Sequence, residues 1–438
     1  MSAISFAQAA TWAIAGAATG CVLIRPWRLP EATWAVLGAL CLVLFALLPW
    51  HEALLAIGKG TDVYLFLVGM MLLSELARHY GVFDWLAALA ARRARGSARR
   101  LFALIFAVGI LVTALLSNDA TAVVLTPAVF AAARTSNAEP LPYLFLCAFV
   151  ANAASFVLPI SNPANLVVFG TSLPPLQSWL ARFALPSVAA IAATYLVLRW
   201  TQRVPLSREI ATDVAVPTLT RAGRWTIWGI LLSALALLSA SALNLRLGLP
   251  TLAVAVLTAL AVLLHERQRP WGLLRDVSWS VIPLVAGLFV LVEGLIHTGV
   301  IERLAGVVTA GAAVAPTSTS WSAGLLVALA CNLLNNLPVG LIAHSVLASG
   351  AQVPQQVASS LLVAVDLGPN ISVTGSLATL LWLVALRREG QHIGAWDFLR
   401  VGALVTLPAL VLALAAVTSA AATLPAAAVT AAAVTAPR

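Results

Sequence analysis

Charge is scarce in this sequence. Only 9% of its 438 residues are Asp, Glu, Lys or Arg, against about 25% in soluble domains, which excludes a water-soluble core. Cysteine is nearly absent. Cys21, Cys41, Cys147 and Cys331 sit singly in apolar runs with no C-x-x-C, which excludes a disulfide framework and a zinc site and leaves small apolar packing as their role. Neither H-E-x-x-H nor G-x-S-x-G occurs, so the usual layouts of a metalloprotease or a serine hydrolase are missing. No basic residue precedes the first apolar run and it carries no small-residue cleavage site, so that run is expected to stay as a span.

What remains is hydrophobic: 61% of the residues, with mean hydropathy +0.98. Apolar runs of roughly 18 to 20 residues, enough to cross the hydrocarbon of a bilayer, recur throughout and predict one all-α integral membrane domain. Spans are expected near 5–24, 33–50, 61–78, 143–173, 178–199, 225–243, 250–264, 278–297, 357–386 and 401–420. Two further apolar stretches, 101–134 and 322–348, are interrupted by Ser117-Asn118-Asp119 and by Asn335-Asn336-Leu337-Pro338. Each reads as a re-entrant hairpin, because backbone freed at that depth must lie against protein or a cavity. With the N-terminus outside, 20 of the 25 basic residues fall on the cytoplasmic side; the exceptions are Lys59, Arg182, Arg246, Arg303 and Arg438. That asymmetry sets orientation, and it accounts for the net charge of +9 without nucleic-acid binding.

An internal repeat divides the chain. Sliding 63–87 onto 281–305 gives nine identities in 25 positions, including Gly69 with Gly287, Glu75 with Glu293, His79 with His297 and Gly81 with Gly299. The same offset of 218 lays Asn118 on Asn336. Five crossings and one hairpin per half invert the second half relative to the first, the layout of alternating-access transporters. The expected organisation is a first repeat over 1–199, a cytoplasmic linker over 200–224, a second repeat over 225–420 and a low-complexity tail over 421–438.

Polar residues concentrate where helices must break. Besides the two tips there are Asn152 to Ser155 leading through Pro159, Ser161, Asn162 and Pro163 to Asn165, and Asp366 leading through Gly368, Pro369 and Asn370 to Thr374, Ser376 and Thr379. Proline inside a helix removes a hydrogen bond and clashes with the preceding turn, and substrates of such folds sit near the midplane at broken helices. An offset of 214 relates these segments too, placing Asn152 on Asp366 and Asn165 on Thr379. The expected substrate ligands are Ser117, Asn118, Asp119, Asn152, Ser161, Asn162, Asn165, Asn335, Asn336, Thr374, Ser376 and Thr379.

At these residues a family resemblance emerges. Ser117 to Pro127 is similar to the Asn-Asp tip of the ArsB arsenite/antimonite pumps, Asn335 to Pro338 to their second tip, and Asp366 to Leu383 to their signature nearly throughout. The resemblance covers almost the whole chain, within an ion transporter superfamily that also holds dicarboxylate carriers and sodium/proton antiporters. It implies a bacterial inner-membrane pump extruding trivalent arsenic and antimony, driven by protons alone or with a soluble ATPase partner. Two positions depart from the expected pattern: Asn152 stands where Asp is expected, and Asn370 where Lys is expected. The departures concentrate proton coupling on Asp119 and Asp366. Arsenous acid is neutral and carries three hydroxyls, which suits Asn, Ser and Thr as donors and acceptors, whereas Asp119 would repel an anion. The alternatives are a sodium/proton antiporter or a small organic-anion carrier.

Weaker signals complete the reading. Glu75 and Glu293, as intramembrane acids, are further coupling candidates, although both also lie near span ends. His79 and His297 read as interfacial residues, and Cys331 as packing. A His79-x-x-x-x-Asp84 spacing resembles an acyltransferase motif, but the repeat replaces the acid by Glu302. An aquaporin-like Asn162-Pro163-Ala164 occurs once where a channel needs two. No enzyme, metal or cofactor is expected; both termini are expected in the periplasm.

Overall fold

The computed structural model describes residues 5–349 and 353–423; most of the tail, 424–438, lies outside the described residues. The first half runs α1 (Phe6–Ile24), α2 (Glu31–Leu44), α3 (Trp50–Lys59), α4 (Thr61–His79), α5 (Val82–Arg93), α6 (Ala98–Leu115), α7 (Thr126–Thr135), α8 (Leu141–Ala153), α9 (Pro163–Phe169) and α10 (Leu176–Thr201). The second runs α11 (Arg221–Ala242), α12 (Gly248–Glu266), α13 (Trp271–Asp276), α14 (Val281–His297), α15 (Val300–Val314), α16 (Pro316–Leu334), α17 (Asn336–Ala348), α18 (Gln355–Leu367), α19 (Leu377–Arg388) and α20 (Ala395–Thr423). The fold is all-α, and among the described residues seven helices are each long and apolar enough to cross a membrane. Shorter pieces join at breaks: α8 with α9, and α18 with α19.

Helices occupy the expected spans, five of them (α1, α10, α11, α12 and α20) long and apolar enough to cross alone, as are the hairpin arms α6 and α16; the sequence reading missed four short helices, α3, α5, α13 and α15. They fall at equivalent places in the two halves. Packing is reciprocal as well: α2 lies against α14 and α12 against α4, α3 against α14 and α13 against α4, and α9 against α17 as α19 against α7. Each half thus completes the other. The repeated glycines explain how. A Cβ on Gly69 would stand 2.8 Å from the Thr251 backbone, and one on Gly287 would stand 2.7 Å from that of Ala35. Without a side chain the helix axes approach closely, and close van der Waals packing is what holds helices together in lipid. Gly81 (φ 69°) and Gly299 (φ 74°) take the left-handed turn that opens α5 and α15, a conformation glycine adopts without steric cost.

Hairpin 1 is α6, the tip, a π-helical turn over Ala120–Leu125 and then α7; π turns inside helices often mark functional positions. Hairpin 2 is α16 and α17, joined directly at Asn335. The linker between halves is anchored, with Ile210 donating to the Gly96 carbonyl (3.0 Å) and Ala211 to that of Ser136 (2.8 Å). It therefore ties together the two feet of hairpin 1.

Candidate substrate site at the hairpin tips

The two tips are built alike from the backbone up. Ser117 Oγ accepts from the amide of Ala120 (3.2 Å), and Asn335 Oδ1 from that of Leu337 (3.3 Å), so each residue caps the helix leaving its tip. The Asn118 amide donates to Ser161 O (3.1 Å), and the Asn336 amide to Gly375 O (2.9 Å). Those carbonyls immediately precede the caps of the broken helices: Asn162 Oδ1 accepts from the Ala164 amide (3.0 Å) and Ser376 Oγ from that of Thr379 (3.1 Å). Every step in one half has its counterpart in the other. Asn335 carries strain, with φ 74° and ψ 153°, a region costing on the order of 1–3 kcal/mol for a residue with a side chain.

Tips and caps converge on one small cavity. Asn118, Asp119, Asn162, Asn336 and Ser376 line it, with apolar walls from Val63 and Leu67 of α4 and Val281 and Val285 of α14. Its volume is about 20 Å³, room for roughly one water, so the site is closed down. Asp119 is the only charged side chain in the lining. Val63 also borders a vestibule of about 590 Å³ lined by Lys59, Asp62, Arg246, Glu293 and His344.

The other expected ligands stand behind this cavity. Ser161 Oγ accepts from the Leu158 amide (3.2 Å), and Thr379 Oγ1 lies 3.0 Å from Ser376 Oγ. Asn165 Nδ2 donates to Ser155 O (2.9 Å) and more weakly to the carbonyls of Leu158 and Pro159, satisfying backbone freed at the break. Asn162 Nδ2 donates to Asp366 Oδ1 (2.8 Å), and Asn152 Nδ2 to Asn370 Oδ1 (2.8 Å). The two departures from the family pattern therefore face each other, fully buried.

Glu75 and Glu293 lie away from the tips. Arg78 forks onto Glu75 (2.9 and 3.0 Å from Nε) and reaches Asp276 of α13 (2.7 Å), while Lys59 holds Glu293 (2.7 Å). His297 pairs with Glu52 of α3. The Glu293 pair thus joins opposite halves directly, whereas Glu75 pairs within α4 and reaches the other half through the second contact of Arg78, with Asp276. Sequence reasoning missed Asn332, which spends both donors and both acceptors of its amide. Nδ2 donates to the Ala328 (2.7 Å) and Gly368 (2.8 Å) carbonyls, Oδ1 accepts from Ser372 N and Oγ (both 2.8 Å), and its carbonyl receives Thr374 Oγ1 (2.9 Å). It fixes the second unwound segment against hairpin 2. Its place one turn before Asn335 was the available signal.

The fold is that of a multi-pass membrane transporter, with a candidate site assembled from two hairpin tips and two broken helices. Residues 20–367 match the family described as citrate transporter, CitMHS. The chain belongs to the ArsB family of the ion transporter superfamily. It is 30% identical over 371 residues to the arsenical pump membrane protein of Escherichia coli K12, covering 80% of this chain and 84% of that one. The protein of the same description from Yersinia enterocolitica is 29% identical over 368 residues. A transporter of Mycobacterium tuberculosis is 27% identical over 409 residues, 90% of this chain and 94% of that one. Among solved structures, the YdaH transporter of Alcanivorax borkumensis shares the fold at TM-score 0.58 and 16% identity, over 84% of this chain and 86% of that one.

Proposed function

We propose that the protein extrudes trivalent arsenic and antimony hydroxides from the cytoplasm of a bacterial cell in exchange for protons. The observation that carries this reading is the cavity lining: amides, a hydroxyl and one carboxylate, with no cationic side chain. Such a set offers donors and acceptors to a neutral trihydroxide and repels a carboxylate substrate such as citrate. The arsenical pump relatives support the same substrate class. The orientation of basic residues supports an inner-membrane location with periplasmic termini, and with it a vestibule open to the periplasm. A neutral solute feels no membrane potential, so uphill export needs a moving charge. One proton crossing about 100 mV supplies about 2.3 kcal/mol, close to a fifty-fold gradient. Asp119 in the cavity and Asp366 behind it are the carboxyls placed to carry that proton.

Everted membrane vesicles test the reading. Arsenite should accumulate in proportion to the imposed proton gradient and without sodium. Asn118→Ala or Asn336→Ala should lower that accumulation about ten- to hundred-fold at normal expression, since a buried polar group left unpaired costs about 1–3 kcal/mol. Sodium-dependent proton exchange without arsenite movement would instead favour a sodium/proton antiporter, in which Asp119 and Asp366 ligate the cation.

A further inference from the structure

Among the buried side chains of the described residues there are two carboxyls, Glu75 and Asp366. Glu75 has Arg78. Asp366 takes part in none of the ion pairs among the described residues; its Oδ1 accepts from Asn162 and its Oδ2 has no hydrogen-bond partner. A buried charge so poorly compensated is costly.

The surroundings of Asp366 form a closed ring. Asn162 lies one turn from Asn165 on α9, Asn165 donates to Ser155 O, and Ser155 follows Asn152 by one turn. Asn152 donates to Asn370, four residues on from Asp366, and Asp366 accepts from Asn162. All six residues are at most 2% exposed. The side-chain oxygens left without a partner in the ring are Asn152 Oδ1, Asn165 Oδ1 and Asp366 Oδ2, while the amides of Asn152, Asn162 and Asn370 each donate one hydrogen bond and keep a second N–H. Among the described residues no charged side chain compensates Asp366: α16 brings the Cys331 thiol and α8 brings Tyr143 and Cys147, charged residues of α10 and α20 are exposed or half-exposed, and His344 of α17 lines the vestibule.

We propose that Asp366 Oδ2 holds the exchanged proton and that Asn162, the one ring member lining the cavity, passes its arrival and departure to the substrate site. The orientation of the Asn162 amide is fixed by its neighbours, because Oδ1 must face the Ala164 N–H and Nδ2 therefore faces Asp366. With Asp366 ionised, that second bond is charge-assisted and about twice as strong as a neutral one, which holds Asn162 in the cavity wall beside Asn118, Asn336 and Ser376. A proton on Oδ2 weakens the bond, releases Asn162 and lets the unpartnered Oδ2 act as a donor. Substrate and proton then oppose each other, and by linkage each lowers the affinity for the other. This mechanism rests on the proton-exchange reading and adds to it the proton's atom and the transmitting residue.

The test uses purified full-length protein in two measurements, the infrared C=O band of protonated carboxyls against pH and the binding of arsenous acid against pH. Asn162→Ser is the informative variant, because it copies the cap that Ser376 provides in the other half and removes the amide donor to Asp366, replacing one amide of the cavity wall by a hydroxyl. Wild-type affinity should rise about tenfold per pH unit if one proton leaves per substrate bound. In Asp366→Asn one component of the titrating band, that of Asp366, should vanish and binding should become independent of pH. In Asn162→Ser that component should remain, shifted, while the pH dependence of binding is lost. A carboxyl titration unchanged from wild type, or a full pH slope, in Asp366→Asn would overturn the proposal, as would a full slope in Asn162→Ser. If the wild type binds no arsenous acid at any pH, the substrate reading fails by itself. The infrared measurement then decides the proton site alone, for it if that component is lost in Asp366→Asn and against it if the carboxyl titration is unchanged from wild type.

Discussion

Asn152 and Asn370 come from positions 218 residues apart and meet at 2.8 Å where the two broken helices cross. The family pattern leads one to expect an Asp–Lys pair there, and the chain keeps the same net charge with two neutral amides. Exchanging one partner alone strands a buried charge, which costs about 3–5 kcal/mol. Asn152→Asp should therefore lower the melting temperature and the yield of monodisperse protein, and adding Asn370→Lys should recover much of both. Equal losses in the single and double variants would show that the two sites do not interact. The residue types at this crossing were legible in the sequence; their pairing was not, because nothing local links α8 to the segment after α18. The tip residues were legible because a polar triplet inside an apolar run is too costly to leave facing lipid and so marks a break in the helix.

Among the elements, helices lying within long apolar runs were read, whether or not each spans alone, and four short helices at the ends of such runs were missed. α3, α5, α13 and α15 hold 6 to 15 residues each and fall short of a span, so hydropathy gave no sign of them. The repeated glycines had marked their places: Gly81 and Gly299 open two of these helices, and Gly69 and Gly287 sit where helices cross. At Gly287 a side chain would press on the Ala35 backbone, whereas at Gly306, in α15, nothing lies within 4 Å. Overpacking typically costs about 1–3 kcal/mol, and backbone yields less readily than a side chain. Gly287→Leu should lower thermal stability in detergent clearly, and Gly306→Leu should leave it close to wild type. Similar melting curves for the two would argue against a close α2–α14 crossing. The π turn after tip 1 had no sequence signal, since Ala120 to Leu125 also suits an ordinary helix.

For the whole molecule, reciprocal packing makes a single unit of two halves that the offsets of 218 and 214 had already separated. The inverted layout fixes which side of the membrane each turn should face. A cysteine placed at Arg95, in the loop before hairpin 1, should be labelled only from the cytoplasm, and one at Asn244, between α11 and α12, only from the periplasm. Both positions are exposed. Labelling of both from one side would contradict the inverted arrangement. The central claim is that the substrate lies between the hairpin tips and the caps of the broken helices, and arsenic can be located directly by its anomalous scattering in crystals of the arsenite-loaded protein. A peak flanked by Asn118, Asn162, Asn336 and Ser376 is the predicted result. A peak confined to the vestibule beside Lys59 and Glu293, or seated on Cys331, would contradict it.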